Sequence, residues 1–391
     1  MSDVASNVRA PGVAVVATVG SGSLDRYAQK LREHIDAETI ETGIYQRCAE
    51  VFNAPLFSRG SLAAFGADLR FVAALRRVRA DLLHLPNHHL GRHGVFLSRP
   101  YVITVHDLIR YFDLKGLALF IHRPNARDRL ALTLDYAGIR KATAVIAVSE
   151  ATKRDLVTHL GIPEEQVFVV YEGVDHRLFR PVPTRLVPEP YLLFVGSEHP
   201  RKNLITLLRA FASLKRDARF RDLKLVKIGR AGGREAPFRE TTLAAVRDLG
   251  IAGDVVFTDE VADDALPAYY SGAECFVLPS LLEGFGLPPL EAMACGCPVV
   301  VANAGALPEI GGDAAVSVEP RDDRALAAAI ATLLTDEAVR RERVELGLRR
   351  AADFSWERTA RETAAVYATV RATLVDREPA DPRDRAAVSE G

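Results

Sequence analysis

Glu283-Gly284-Phe285-Gly286-Leu287-Pro288-Pro289-Leu290-Glu291 sets two carboxylates, seven residues apart, around a glycine turn and a Pro-Pro step. A short apolar run, Cys275 to Leu278 with Pro279 behind it, enters this stretch, and Ala292-Met293-Ala294-Cys295 leaves it. The order reads as strand, loop, helix. Proline is tolerated in the first turn of a helix, because the N–H it lacks would have been unpaired there anyway. The helix is therefore expected to start near Pro288, with Glu291 in its first turn and Glu283 in the loop before it. Free N–H groups of the turn and the positive end of the helix dipole then face one space, which suits an anion and phosphate above all. Carboxylates do not bind phosphate, so these two are expected to accept hydrogen bonds from hydroxyl groups attached to it. A phosphorylated ligand rich in hydroxyls is a sugar nucleotide.

Short apolar, β-branched runs recur on both sides of this segment with helical stretches between them. They are Val13–Val19, Leu82–Leu85, Val102–Val105, Ala144–Val148 and Val167–Val170, then Tyr191–Val195, Leu223–Ile228, Val255–Thr258, Cys275–Leu278, Val299–Val301 and Ala315–Val318. Continuous apolar runs suit parallel strands covered on both faces, and strand-helix-strand order implies doubly wound α/β units. Arg180–Pro190 holds four prolines and joins two such halves as a linker. A chain of 391 residues exceeds the size at which one core stops growing, so two domains are the default. Ser355 is placed to cap a final helix running to about Leu374. The Pro-, Arg- and Asp-rich stretch from Asp376 onward has the composition of a disordered tail.

Fifty basic side chains against 51 acidic ones leave a net charge of −1, which points to no nucleic-acid partner. Four cysteines in so long a chain make no disulfide framework, and Cys295 and Cys297 lack zinc-site spacing, so all four are read as reduced. No apolar run reaches the length of a membrane span, and Val13–Val19 reads as a core strand rather than a signal peptide. The expected location is cytoplasmic.

EGFGLPPLEAMACGCPVV resembles the E-x7-E motif of the family 4 glycosyltransferases. Val195-Gly196-Ser197-Glu198-His199-Pro200-Arg201-Lys202-Asn203-Leu204 resembles that family's phosphate-binding turn, and Val105-His106-Asp107-Leu108 its cleft histidine. Ala147-Val148-Ser149-Glu150 with Thr152-Lys153, Glu172-Gly173-Val174-Asp175 and Ala306-Leu307-Pro308-Glu309 fall in the family's order as well. The resemblance implies the α/β GT-B fold, two Rossmann-like doubly wound domains facing a central cleft. It divides the chain into an acceptor-side domain at 1–183, a nucleotide-sugar domain at 184–354, a helix at 355–375 packing back on the first domain, and the tail at 376–391. It also implies a retaining hexosyltransferase, mannosyltransferase-like, acting on a glycan, a lipid-linked molecule or a small hydroxyl acceptor. No cofactor is implied; the donor substrate is GDP-mannose or a UDP-hexose. A lipid-linked acceptor would add peripheral contact with the inner face of a membrane.

By the same resemblance Glu291 accepts from the donor's ribose and Glu283 from hydroxyls of the transferred sugar, with Gly284, Phe285, Gly286 and Leu287 lining the cradle. Arg201 and Lys202 stand at a strand-to-helix turn, with Asn203 as candidate N-cap. A cationic pair there suits a diphosphate and the charge that builds on a leaving nucleotide. His106 ends a strand at a carboxyl edge and is expected to line the cleft near the donor sugar and leaving phosphate. Gly20, in the turn Gly20-Ser21-Gly22-Ser23, is expected to approach the phosphates from the first domain. Arg230, in Ile228-Gly229-Arg230-Ala231-Gly232-Gly233, is expected beside the base. His84, His88, His89 and His93 have pairs at helical spacing, but Pro86 and Gly91 interrupt any helix, and the chain carries no D-x-D clamp; no metal site is expected. A nucleotide-sugar epimerase on the same fold is the rival enzyme. A non-catalytic binding module is disfavoured by the presence of both carboxylates. A dehydrogenase is disfavoured by Asp25 standing where the third glycine of a dinucleotide fingerprint belongs.

Overall fold

The computed structural model describes residues 12–18, 23–35, 38–42, 59–116, 124–230 and 236–377. The first half runs β1 Val13–Thr18, α1 Ser23–His34, β2 Glu38–Thr42, α2 Arg59–Arg77, β3 Leu82–Leu85, α3 Gly91–Gly94, β4 Tyr101–Val105, α4 Ile109–Lys115, α5 Ala126–Lys141, β5 Ala144–Ala147, α6 Glu150–Leu160 and β6 Val167–Val169. The second runs β7 Tyr191–Val195, α7 Leu204–Leu214, β8 Lys224–Ile228, α8 Ala236–Asp248, β9 Val255–Thr258, α9 Leu266–Gly272 and β10 Cys275–Leu278. It continues through α10 Leu287–Ala294, β11 Val299–Ala302, α11 Leu307–Gly311, β12 Val316–Val318, α12 Asp323–Thr335 and α13 Glu337–Ala352 to the last helix, α14 Trp356–Arg377.

Two six-stranded sheets result, ordered β2-β1-β3-β4-β5-β6 and β12-β11-β10-β7-β8-β9, with every strand pair parallel. The central strands β3, β4, β5, β10 and β11 are buried along their whole length, as their mainly apolar sequences require, with His84 and Thr104 the polar residues among them. β2 was not legible in the hydrophobic pattern: Glu38-Thr39-Ile40-Glu41-Thr42 has one apolar residue, and the strand lies at a sheet edge.

In the second sheet the chain builds outward from β7 to β9, then returns to lay β10 on the other side of β7. Strand order thus reverses between β7 and β10, and ligands of open α/β sheets bind at such a switch point, outside the carboxyl ends of the strands. The first sheet has its own reversal between β1 and β3.

α14 covers a face of the first sheet. Val366, Tyr367 and Val370 pack with Leu82, Val102, Ala144 and Ile146, while Trp356 and Ala360 join Val15, Tyr27 and Leu31. Ser355 caps this helix by accepting from the Arg358 N–H at 3.2 Å. Arg180–Pro190 contains no helix or strand. No helix among the described residues is long and apolar enough to cross a membrane.

Candidate active site

The reversal between β7 and β10 brings together the two segments in which the sequence concentrates charge. Beyond β7, Pro200–Lys202 forms one 3₁₀ turn, opened by the proline and stitched to the loop beyond β10 by Leu281 N–H donating to Arg201 O at 2.7 Å. Arg201 donates from one guanidinium nitrogen to Glu283 Oε2 at 2.9 Å and to Leu282 O at 3.2 Å. Lys202 Nζ donates to Glu283 Oε1 at 2.7 Å. Both oxygens of this buried residue's carboxylate are therefore held by cations from the turn beyond the neighbouring strand. Burial pushes the Glu283 carboxyl up, but the Lys202 and Arg201 charges and their hydrogen bonds outweigh it and hold it down at about 2.

Helix α10 starts at Leu287, one residue before Pro288, on Gly286 with φ 125°, a backbone that L side chains rarely adopt. Glu291 is consequently the fifth helical residue and not in the first turn, which corrects the expectation. Pro288 and Pro289 carry no N–H, so the donors at this end are those of Phe285, Gly286 and Leu287. Tyr270 Oη donates to Glu291 Oε2 at 2.8 Å and orients that carboxylate, whose pKa burial raises against this bond.

Asn203 occupies the position before α7, but its side chain makes no cap bond; it sits in the left-handed region at φ 56°. Its amide nitrogen donates to Pro279 O at 2.9 Å and to Pro320 O, and its oxygen accepts from Thr206 Oγ1 at 2.8 Å. The carbonyls beyond β10 and β12 outcompete the helix end, so Asn203 ties three loops together instead of capping one.

His106 stands one residue beyond β4. Its ring is buried, with Nδ1 2.7 Å from Glu172 Oε1 and Nε2 2.9 Å from Pro86 O. Both partners accept, so both ring nitrogens donate, which is the imidazolium state. Burial alone would lower the pKa; the Glu172 bond and charge, the Pro86 carbonyl and Asp107 outweigh it and raise it. The ring nitrogens are thus used inside the first domain, and the atom of His106 that meets the donor-side loop is its main-chain carbonyl, against Gly284. A group with a raised folded pKa contributes stability that is full below its ordinary value of 6.5 and lost as pH rises past the folded value. Tyr27, edge-on at 4.7 Å, and His88, which accepts from the His106 N–H at 3.4 Å, complete the surroundings. Glu172→Gln is expected to lower the His106 titration followed by NMR and to flatten the fall in urea stability between neutral and alkaline pH. An unshifted imidazole titration would reject the pairing.

His84, His89 and His93 each face a different partner. His84 bonds Tyr367 Oη at 2.6 Å and Thr104 Oγ1 at 2.8 Å, His89 faces Asp135 at 3.5 Å, and His93 faces Asp68 at 2.9 Å. Gly91 opens α3 rather than breaking it, since α3 crosses α5 closely there. Among the described residues no group of three or more His, Cys, Asp or Glu could hold a metal ion. Arg230 pairs with Glu260 at 3.3 Å, both side chains 71% exposed, so this rim contact contributes little. Gly20 and Ala231-Gly232-Gly233 lie outside the described residues.

Sequence reasoning missed Glu198, which is buried and accepts on Oε1 from Lys227 at 2.8 Å and Arg239 at 2.6 Å. It anchors the turn beyond β7, the same turn that carries Arg201 and Lys202, to β8 and α8. The available signal was Lys227 itself, a charge inside the apolar strand Leu225-Val226-Lys227-Ile228. Arg26 of α1 was missed too; it reaches Asp263 of the second domain at 3.7 Å, and its charge acts on Glu291.

Residues 13–178 match the family model described as Glycosyltransferase Family 4, and residues 176–349 match that of Glycosyl transferases group 1. The chain is 36% identical to the MMP alpha-(1->4)-mannosyltransferase of Mycolicibacterium hassiacum, over 76% of this chain and 72% of that protein. It is 30% identical to O-antigen chain mannosyltransferase B of Escherichia coli, over 75% and 76%. Its fold is similar to that of Anabaena HepE in complex with UDP-glucose, with a TM-score of 0.74 at 19% identity, covering 92% of this chain and 100% of that one. The architecture is GT-B.

Proposed function

The chain belongs to glycosyltransferase family 4, and from that premise we propose that this glycosyltransferase moves mannose from GDP-mannose to a glycan, lipid-linked or small hydroxyl acceptor, with retention of configuration. The observation that carries the reading is the Glu283 carboxylate held between Arg201 and Lys202 at the β7/β10 reversal, beside the N–H groups of Phe285–Leu287. Without donor, the carboxylate keeps both cations in place. A diphosphate entering the cradle takes over part of their charge, and Glu283 turns its released lone pairs to the sugar hydroxyls. Glu291, oriented by Tyr270, takes the ribose. Charge developing on the departing nucleotide is met by Arg201, Lys202 and the helix end, which cost no reorganisation during the reaction. The choice of mannose is supported by the two mannosyltransferases to which the chain is 30% and 36% identical. A lipid-linked acceptor would bring the enzyme to the cytoplasmic face of a membrane.

Retention is supported by where bases are available. Inversion needs a base on the acceptor opposite the leaving group, as the carboxylate spacing of inverting glycosidases illustrates. Here Glu283 is turned to the sugar hydroxyls and His106 is held by Glu172 and Pro86, which leaves the departing phosphate to take the acceptor's proton from the same face. The test is a screen of GDP-mannose and UDP-hexoses, with acceptor and under thorough chelation, followed by proton NMR of the first-formed product. The expected result is turnover of GDP-mannose that survives chelation and an α-anomeric product from the α-linked donor. A β-anomeric coupling rejects retention, loss on chelation with recovery on Mg²⁺ rejects the charge assignment, and preference for a UDP-hexose rejects mannose. A free epimerised sugar nucleotide from donor alone would identify an epimerase.

A further inference from the structure

Two motifs in the sequence have no part in the site described above: Ser149-Glu150 with Thr152 in the first domain, and Leu307-Pro308-Glu309 in the second. The fold brings them together across the cleft. Ser149 caps α6 by accepting from Thr152 N–H at 3.0 Å, and its hydroxyl donates to Gly284 O at 2.7 Å. Thr152 Oγ1 donates to the same carbonyl at 3.1 Å. Both side chains are buried, so these bonds are shielded from water. Glu309 returns the contact in the other direction. Its Oε1 accepts from Glu150 N–H at 2.7 Å and its Oε2 from Ala151 N–H at 3.1 Å, satisfying two amides that the first turn of α6 leaves without a helical partner. A carboxylate at this end is further favoured by the helix dipole.

The Gly284 and Glu309 segments are tied together, because Ala306 N–H, at the start of α11, donates to Glu283 O at 3.1 Å. The loop that presents Glu283 is thus gripped from the opposite domain on its next carbonyl and braced from behind by the element carrying Glu309. Gly284 lies so close to the His106 carbonyl that a methyl group there would collide with it.

We propose that Ser149, Thr152 and Glu309 are positioning residues: they clasp the two domains and set the Glu283–Leu287 loop in its working geometry only when the cleft closes. Closure and completion of the donor site are then a single event. Opening breaks these four bonds together and frees the Gly284 carbonyl, so nucleotide can enter while the loop is unset. The consequence for catalysis rests on the transferase reading above; the clasp itself rests on the contacts alone.

The test uses the full chain. Amide hydrogen exchange at Glu150 and Ala151 is measured with and without GDP or UDP, in the wild type, in Glu309→Gln and in the double variant Ser149→Ala/Thr152→Ala. Nucleotide Kd, kcat with GDP-mannose or UDP-glucose, and Tm are measured alongside. Exchange at the two amides is expected to be about 10-fold faster in Glu309→Gln than in the wild type, since the partner that protects them is weakened. In both variants kcat is expected to fall by about 10-fold while nucleotide Kd stays within about 2-fold, because the nucleotide sits on the second domain and only the closing step is lost. Thr152→Ser keeps the hydroxyl and is expected to keep most of kcat. Unchanged exchange in Glu309→Gln overturns the clasp. Parallel losses of Tm and nucleotide affinity, or no recovery by Thr152→Ser, would show a merely structural role and overturn it too. If no sugar is transferred by the wild type, the transferase reading fails on its own, while the exchange rates still decide the clasp.

Discussion

Glu283→Gln is expected to lower kcat by roughly 10²-fold or more, an electrostatic loss of about 2.7 kcal/mol or above. The substitution keeps the shape of the side chain and removes its charge. In the wild type both carboxylate oxygens are occupied by Arg201 and Lys202 at 2.9 and 2.7 Å, and burial makes these contacts stronger than they would be in water. An amide offers one acceptor and two donors to the same cations, so its NH₂ group faces a positive partner. One cation loses its fixed position, and the sugar hydroxyls lose an acceptor. The effect belongs in kcat more than in KM, because the cations must be in place when charge builds on the leaving group. Glu291→Ala is expected to act on donor KM instead, since Glu291 is held by Tyr270 and not by the phosphate-binding pair. Near wild-type kcat in Glu283→Gln, measured at saturating donor, would remove Glu283 from the site.

The same geometry gives a pH signature. Because the folded pKa of Glu283 is depressed from 4.5 to about 2, the pair contributes stability that is fully present above the ordinary value and is lost as pH falls from 4.5 toward 2. Glu283→Gln should therefore be less acid-sensitive in unfolding than the wild type, even though it is less active.

What could be read from the sequence was whatever the chain encodes locally. Apolar β-branched runs marked the central strands to within a residue, and the glycine turn with its Pro-Pro step marked a helix start to within one. β2 escaped because an edge strand needs little apolar surface, and its Glu-Thr-Ile-Glu-Thr pattern carries almost none. Asn203 misled because a cap position is local while its carbonyl partners, Pro279 and Pro320, come from strands far along the chain. His106 could be placed at a strand end, but nothing near it in sequence announced Glu172, 66 residues away. The pairing of Glu283 with Arg201 and Lys202 spans 82 and 81 residues and exists only because β10 returns to lie beside β7. Spacing along the chain identified the groups; the strand order decided which of them touch.

Replacing Arg201 and Lys202 together by Ala is expected to abolish turnover, and the structure adds a second consequence. Glu283 would be left in a buried place with neither counter-charge, and breaking a buried pair by removing its partners costs about 3–5 kcal/mol. The loss of activity in this double variant would then mix chemistry with folding. The carboxyl has an escape: without the cations, burial alone acts on it and raises its pKa, so the destabilisation should ease as pH falls, opposite to the wild-type trend. Adding Glu283→Gln removes the stranded charge altogether. The triple variant is therefore expected to regain most of the lost stability in urea unfolding while recovering no turnover, since nothing remains to meet the diphosphate. Arg201→Ala alone should be milder in stability, because Lys202 at 2.7 Å still neutralises the carboxylate, yet should lose turnover strongly. A triple variant as unstable as the double would show that the two cations stabilise the fold by some route other than Glu283. Measurable turnover in the double variant would show that the leaving-group charge is met elsewhere.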